Sequence, residues 1–185
     1  MNAIQIVRDS EQFPQMERIN ENQVNFYFDQ SERPYGSDIQ YMAVMVTVDT
    51  QSDDIDEIKA LALEAIKEYR TKQIQEYDKS KAVNEFFYNE ESMWLDDATR
   101  TKLAKRLDVD KKSGLVTTKV NYEGKTFELP VTTAETMLFQ LEQYARDSFD
   151  KTNEHLAALA AIEDADAAIS YDFKLDYPEK LHFNL

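Results

Sequence analysis

Two histidines, His155 and His182, three glycines and no cysteine bound the chemistry open to this chain of 185 residues. Without Cys there is no disulfide, no thiol nucleophile and no thiolate zinc site. Neither His has another His or a carboxylate at a metal-binding spacing, and no His-Glu-x-x-His run occurs. Glu154 directly precedes His155, so on a helix the two side chains point in different directions. Glycines at 36, 114 and 124 alone leave no Gly-x-Ser-x-Gly elbow and no phosphate-cradling loop.

Carboxylates are abundant. Asp53, Asp54, Asp56 and Glu57 form the densest group, and such a group suggests a cation site. They also stand where a helix begins, and negative charge is stabilising at a helix N-terminus without any ligand. Paired carboxylates are the raw material of glycoside hydrolysis. Among thirty-six acidic residues some pairs reach that separation by chance, so abundance alone selects none. Trp94, between Met93 and Leu95, could stack on a ligand, but a single Trp among apolar neighbours reads first as a core anchor. The residues therefore define no catalytic, cofactor-binding or metal site, and the expectation is a non-enzymatic protein. Ten tyrosines fit one that works through protein contacts, where Tyr is enriched.

The elements that would position these groups follow from periodicity. Val24, Phe26 and Phe28 alternate over 22–29, and Met42, Val44, Val46 and Val48 alternate over 39–49. Turn formers from Ser31 to Asp38 predict a long-looped hairpin between them. From Ser52 the period changes, with Ile55, Ile58, Ala62, Ala65, Ile66 and Tyr69 predicting a helix to about Tyr77. Short strands are predicted over 82–88 and 92–95, then a helix from Asp96 or Asp97 to Leu107. Val116 to Tyr122 and Phe127 to Val131 flank Glu123-Gly124 as a second hairpin. Thr132 and Glu135 have capping-box spacing at the start of the longest helix. Met137, Leu138, Leu141, Tyr144, Ala145 and Phe149 stripe that helix, which either continues past 150–153 or is interrupted there. The Ala-rich stretch from Leu156 to Ile169 should pack closely, and the segment from Tyr171 to Leu185 is expected to dock on the body or on a neighbour.

The fold class is accordingly α+β: an N-terminal β hairpin unit over 1–50, a linking helix, then two β hairpins packed against a helical pair within 51–185. A formal charge of −15 disfavours phosphate backbones and anionic lipid, so nucleic acid and membrane are not expected partners. The N-terminal residues lack the apolar core of a secretory signal. Tyr41 to Val48, the longest apolar stretch, is far short of the ~20 residues that span a bilayer.

A resemblance covers about residues 74–183. Tyr77-Asp78-x-Ser80, Val83-Asn84-x-Phe86, Met93-Trp94-Leu95-Asp96, Arg100, Leu138, Leu141-Glu142-x-Tyr144-Ala145, Asn153-x-His155 and Tyr177-Pro178-Glu179-Lys180-Leu181-x-Phe183 stand in the order and spacing of one family. In these the chain resembles a domain-of-unknown-function family of bacteriophages and prophages, associated with tail-fibre genes, with relatives in gut Bacteroidales phages. The start, through Glu17-Arg18-Ile19-Asn20 and Val24 to Asp29, is similar to phage proteins of the same neighbourhood. Two departures stand out. Family members carry Asn-Gly where this chain has Asn89-Glu90, which leaves that turn open to a different geometry, and many have Cys-Tyr-Asn where it has Ser148-Phe149-Asp150. The shared positions are aromatic, apolar and turn residues, and they read as fold determinants.

The resemblance implies a phage structural protein of the tail, baseplate, fibre or connector, made in the host bacterial cytoplasm and carried in the virion. Its expected partners are other phage structural proteins and further copies of itself in a symmetric assembly. Two alternatives remain open at this point. One is a tail-fibre assembly chaperone that leaves before completion; the other, suggested by the charge, is an acidic inhibitor that imitates nucleic acid.

Overall fold

The computed structural model describes residues 1–9 and 11–184. Ser10 and Leu185, the ends of the N-terminal segment and of the C-terminal tail considered above, lie outside the described residues. The fold is α+β, with the strands gathered into three separate sheets. The chain forms two compact units, both discontinuous: Met1–Glu76 with Asn153–Leu175, and Tyr77–Thr152 with Asp176–Leu185. Thr50, the boundary the sequence suggests, falls inside the first unit.

The first unit is built on a four-stranded antiparallel sheet of β1 (Ala3–Arg8), β2 (Met16–Asn20), β3 (Gln23–Tyr35) and β4 (Asp38–Asp49), in the order β1-β4-β3-β2. Register pairs Val24 with Val48, Phe26 with Val46 and Phe28 with Val44, so six apolar side chains line one buried face. Helix α1 (Ile55–Asp78) buries Ile58, Ala62, Ala65 and Ile66 on the stripe its period predicts, and Lys59 of this helix lies 5.9 Å over the Phe26 ring. The other face of the sheet carries a smaller cluster of Phe13, Tyr27 and Ala43, with Phe13 stacked 5.2 Å from Tyr27.

The hairpin between β3 and β4 differs from expectation. Residues 31–34 are strand, and the turn is only Gly36-Ser37. Gly36, with φ of 63°, holds the first central position, which in a type II′ turn calls for glycine. The long loop is absent because Asp29 adopts φ of 47° and the register shifts between Phe28 and Ser31. That bulge places two residues opposite one and bends the strand instead of ending it. Beyond it, the strand pairs from Arg33↔Gln40 to Tyr35↔Asp38 continue as a two-stranded arm past both β1 and β2, with Gln40 Nε2 donating to Asp9 Oδ1 at 2.7 Å at its base.

One arginine secures the exit from the sheet. Arg18 donates to Asp53 Oδ1 at 2.5 and 3.0 Å and to the carbonyls of Asn20, Glu21, Thr50, Gln51 and Ser52 at 2.7–3.4 Å. Asp54 Oδ1 accepts from the main-chain N–H of Asp56 and Glu57 and caps α1. The acidic group at 53–57 is thus divided between a guanidinium and a helix end, as its position implied.

The second unit begins with the end of α1, followed by the one-turn helix α2 (Lys81–Asn84), β5 (Phe86–Tyr88), β6 (Glu91–Met93) and α3 (Asp97–Lys112). Residues 82–84, read as strand from sequence, are helical because Ser80 O accepts from the N–H of both Val83 and Asn84. Helix α3 runs past Leu107 because Asp110 is held from outside: Thr118 Oγ1, itself buried, donates to its Oδ2 at 2.6 Å. The hairpin of β7 (Thr117–Tyr122) and β8 (Lys125–Pro130) forms as expected. Helix α4 (Val131–Ala161) then starts one residue ahead of the proposed cap, with Val131 N–H donating to Val116 O. Thr132 and Glu135 form no capping box; Glu135 takes Lys111 at 2.9 Å instead. The helix runs through 150–153 unbroken and ends before α5 (Ala165–Ser170), which belongs to the first unit.

The tail docks on its own chain. Strand β9 (His182–Phe183) adds parallel to β5, giving a three-stranded sheet in the order β6-β5-β9. Phe183 enters the apolar cluster of Phe86, Met93, Leu95 and Leu141, meeting the Phe86 ring edge-on at 5.9 Å. Trp94 is only half-buried; its neighbours Met93 and Leu95 are the core anchors, because alternation turns them inward.

Candidate functional site

Each α4 position at which apolar spacing would call for a core residue, from Ser148 to His155, carries a polar side chain. The stripe passes from Leu141 and Tyr144 through Ser148, Thr152 and His155 to Leu159, and all six are buried. Buried polar groups need partners, and the surrounding segments supply them to Thr152 and His155.

In the second unit Thr152, 4% exposed, donates from Oγ1 to Asp78 Oδ1 at 2.7 Å, and its hydroxyl lies 2.9 Å from that of Tyr177. Since Thr152 has one proton, Tyr177 donates to Thr152. Tyr177 also meets the Tyr77 ring edge-on at 5.4 Å. Asn84 donates to the carbonyls of Asp78 and Ser80, and Ser80 Oγ donates to Tyr77 O at 2.6 Å. Tyr144 donates to Val83 O at 2.5 Å, and burial pushes its phenol above the ordinary tyrosine value. Arg100 bonds Leu95 O at 2.8 Å and Glu142 at 2.9 Å, while Asp96 caps α3 through Thr99 N–H.

In the first unit His155 Nε2 lies 3.0 Å from Leu175 O, and Nδ1 lies 2.7 Å from the Tyr171 hydroxyl. A carbonyl can only accept, so Nε2 carries the proton and, in the neutral ring, Nδ1 accepts from Tyr171. His155 is a satisfied core histidine. His182 is exposed and stacks on Phe87 at 4.7 Å.

A threonine beside a carboxylate and a phenol has the composition of a nucleophile with its base. Here the hydroxyl is enclosed, and it is spent on Asp78, Tyr177 and the carbonyl of Ser148, one helical turn back. The arrangement ties α4 to the start of the unit and to the tail. Among the described residues no three His, Asp or Glu side chains are grouped to hold a metal ion. The apolar cavity of about 30 Å³ between Phe86, Met93, Leu103, Val120, Phe127 and Leu138 has room for about two waters and almost no polar group to hold them.

Most of the quoted motif segments thus lie in the second unit, whereas Asn153-x-His155 lies in the first. Asp78, Ser80, Val83, Asn84, Phe86, Met93, Leu95, Asp96, Arg100, Leu141, Glu142, Tyr144, Tyr177, Lys180 and Phe183 all bond or pack within the second unit. Thr152, which joins Asp78 to Tyr177, was not singled out as a site residue in the sequence; its signal is a polar residue on an apolar stripe. No family model matches the chain, and no curated protein or solved structure matches it either.

The surface offers a different kind of site. Residues 29–35 of β3 are exposed throughout, and at the arm tip Tyr35 is 62% and Ile39 46% exposed. A two-stranded ribbon is marginal by itself in water, so such an arm gains most when it lies on another surface. No helix among the described residues is long and apolar enough to cross a membrane.

Proposed function

We propose that this is a non-enzymatic bacteriophage structural protein, a component of the tail, baseplate, fibre or connector that works by assembling with other proteins. The observation that carries the reading is the arm of Arg33 to Gln40, to which no third strand is added among the described residues and whose tip exposes Tyr35 and Ile39. The resemblance of residues 74–183 to a phage family supplies the setting: synthesis in the bacterial cytoplasm, residence in the virion, and partners that are phage structural proteins and further copies. The buried bonds of Tyr144, Thr152 and His155 support it too, because each fastens α4 to another segment of its own unit.

Ion pairing in both units weighs against the nucleic-acid mimic. Acids are interleaved with bases in both units, as in Glu17 with Arg8, Glu68 with Lys72, Asp108 with Lys112 and Glu91 with Lys125. A mimic needs unbroken rows of carboxylates at phosphate-like spacing. The assembly chaperone is the second reading, since a marginal arm also suits a transient grip.

Mass spectrometry of gradient-purified phage particles separates the two. A reproducible amount in fixed ratio to the major capsid protein is expected. Abundance in the lysate with absence from particles would replace the virion component with the chaperone.

A further inference from the structure

We infer that the free edge of β1 is a self-association site, at which a second copy of this chain adds its own β1 antiparallel and two four-stranded sheets become one of eight strands about a twofold axis. An edge strand presents unpaired N–H and C=O groups, and proteins normally blunt it with charge, proline or a bulge. The opposite edge of this sheet is blunted: β2 carries Glu17 and Arg18 and shifts register between Arg18 and Asn20. β1 has none of these devices from Ala3 to Val7, and it pairs with β4 in unbroken register from Ala3↔Val46 to Arg8↔Tyr41. Ile4 on one face is 48% exposed and Val7 on the other 47%. Five residues of regular backbone, uncharged and with an exposed apolar side chain on each face, form this edge.

Charge and register select the occupant. A chain of net charge −15 repels its own copy over most of its surface, yet residues 1–8 contain no Asp or Glu, whereas β2 presents one. With Gln5 on the twofold axis, Ile4 stands opposite the partner's Ile6 on one face and Ala3 opposite the partner's Val7 on the other. A shift of two residues would set Arg8 against the partner's Ile4 and lose both apolar pairs. A single strand pair of this length buries less than the ~1,200 Å² of a standard interface, so the dimer should form reversibly in the micromolar range or above.

The inference rests on the assembly reading only in supposing self-contact, and its test is separate from the particle measurement. A dimer of a protein absent from virions keeps this inference and removes the virion role; a monomeric virion component does the reverse. Because the chain has no Cys, Gln5→Cys provides a single thiol. Directly opposed residues have Cα atoms about 4.5–5.5 Å apart, within disulfide reach. Mild oxidation of Gln5→Cys should give a covalent dimer. Ala3→Cys should not, since its counterpart lies four residues along the strand, about 14 Å away. In sedimentation velocity Ile4→Lys and Val7→Lys should each weaken self-association at least tenfold while the circular dichroism stays unchanged, as both side chains are exposed. A wild type that is monomeric to about 200 µM, equal cross-linking of both cysteine variants, or dimers that survive both lysines would overturn it.

Discussion

Tyr144 on α4 donates its hydroxyl to the main-chain carbonyl of Val83, 61 residues earlier, at 2.5 Å. Both groups are buried, so neither finds water when the other is removed. Tyr144→Phe should lower stability by about 1–2 kcal/mol, read as a shift in urea midpoint at unchanged m-value.

Ser148, one turn further along the same face, is 2% exposed, and its Oγ has no partner in bonding geometry. A buried hydroxyl left unpaired is a liability that removal relieves. Ser148→Ala is expected to be neutral or to stabilise by up to about 1 kcal/mol. A loss of stability would mean that this hydroxyl supports the Tyr144 phenol.

Glu90 occupies the second central position of the β5–β6 turn with φ of 67°, after Asn89 at 46°. Both positive values define a type I′ turn, so the geometry that Asn-Gly favours is kept with a residue poorly suited to it. The β7–β8 turn solves the same problem with Gly124 at 80°. Glu90→Gly relieves about 1–2 kcal/mol of left-handed strain and gives back roughly half in chain entropy. The net expectation is a gain of about 0.5–1 kcal/mol, measured by thermal unfolding.

The Glu85 carboxyl is held below the ordinary carboxylate range, first by its hydrogen bond from Lys180 and next by that from Ser92. Lys180 belongs to the tail, so this pair fastens the segment leading to β9. A carboxyl whose pKa is lower in the folded state stabilises above its unfolded value, about 4.3, and loses that contribution as pH falls through the lower folded value. Glu85→Gln should therefore be less stable than wild type at pH 7, with the two converging as pH drops below the usual carboxylate range. Both groups are partly solvated, so the gap should also narrow in salt. Urea melts of both proteins across acid pH would check it; a gap independent of pH would show that the amide loses packing and not charge.

Arg18 gathers five carbonyls and one carboxylate around a single guanidinium. Lysine has neither the planar fork nor the reach to satisfy them together. Arg18→Ala should cost about 2 kcal/mol, and Arg18→Lys should recover little of it in chemical denaturation.

These positions mark what was legible in the chain. Strands β3, β4, β7 and β8 and helices α1 and α4 follow from apolar period alone, because each buries one side. β1 did not stand out, since Ile4, Ile6 and Val7 fall on both parities and no alternation survives. The full length of α3 depends on Asp110 finding Thr118, a tertiary bond with no local trace. Likewise 82–84 has strand-like composition, and only the carbonyl of Ser80 turns it into a helical turn. Most of the motif residues bond or pack inside the second unit, whereas the threonine that joins Asp78 to Tyr177 was overlooked because its hydroxyl breaks an apolar stripe.

The discontinuity of the second unit has a consequence in synthesis. A ribosome delivers Phe86, Met93 and Leu141 long before Phe183, so the nascent chain exposes an open β5 edge beside an unsealed apolar cluster until 176–184 emerge. Phe183 and the Tyr177–Thr152 bond therefore close this unit last, and a chain lacking 176–184 would keep an unpaired β5 edge of the kind that invites aggregation.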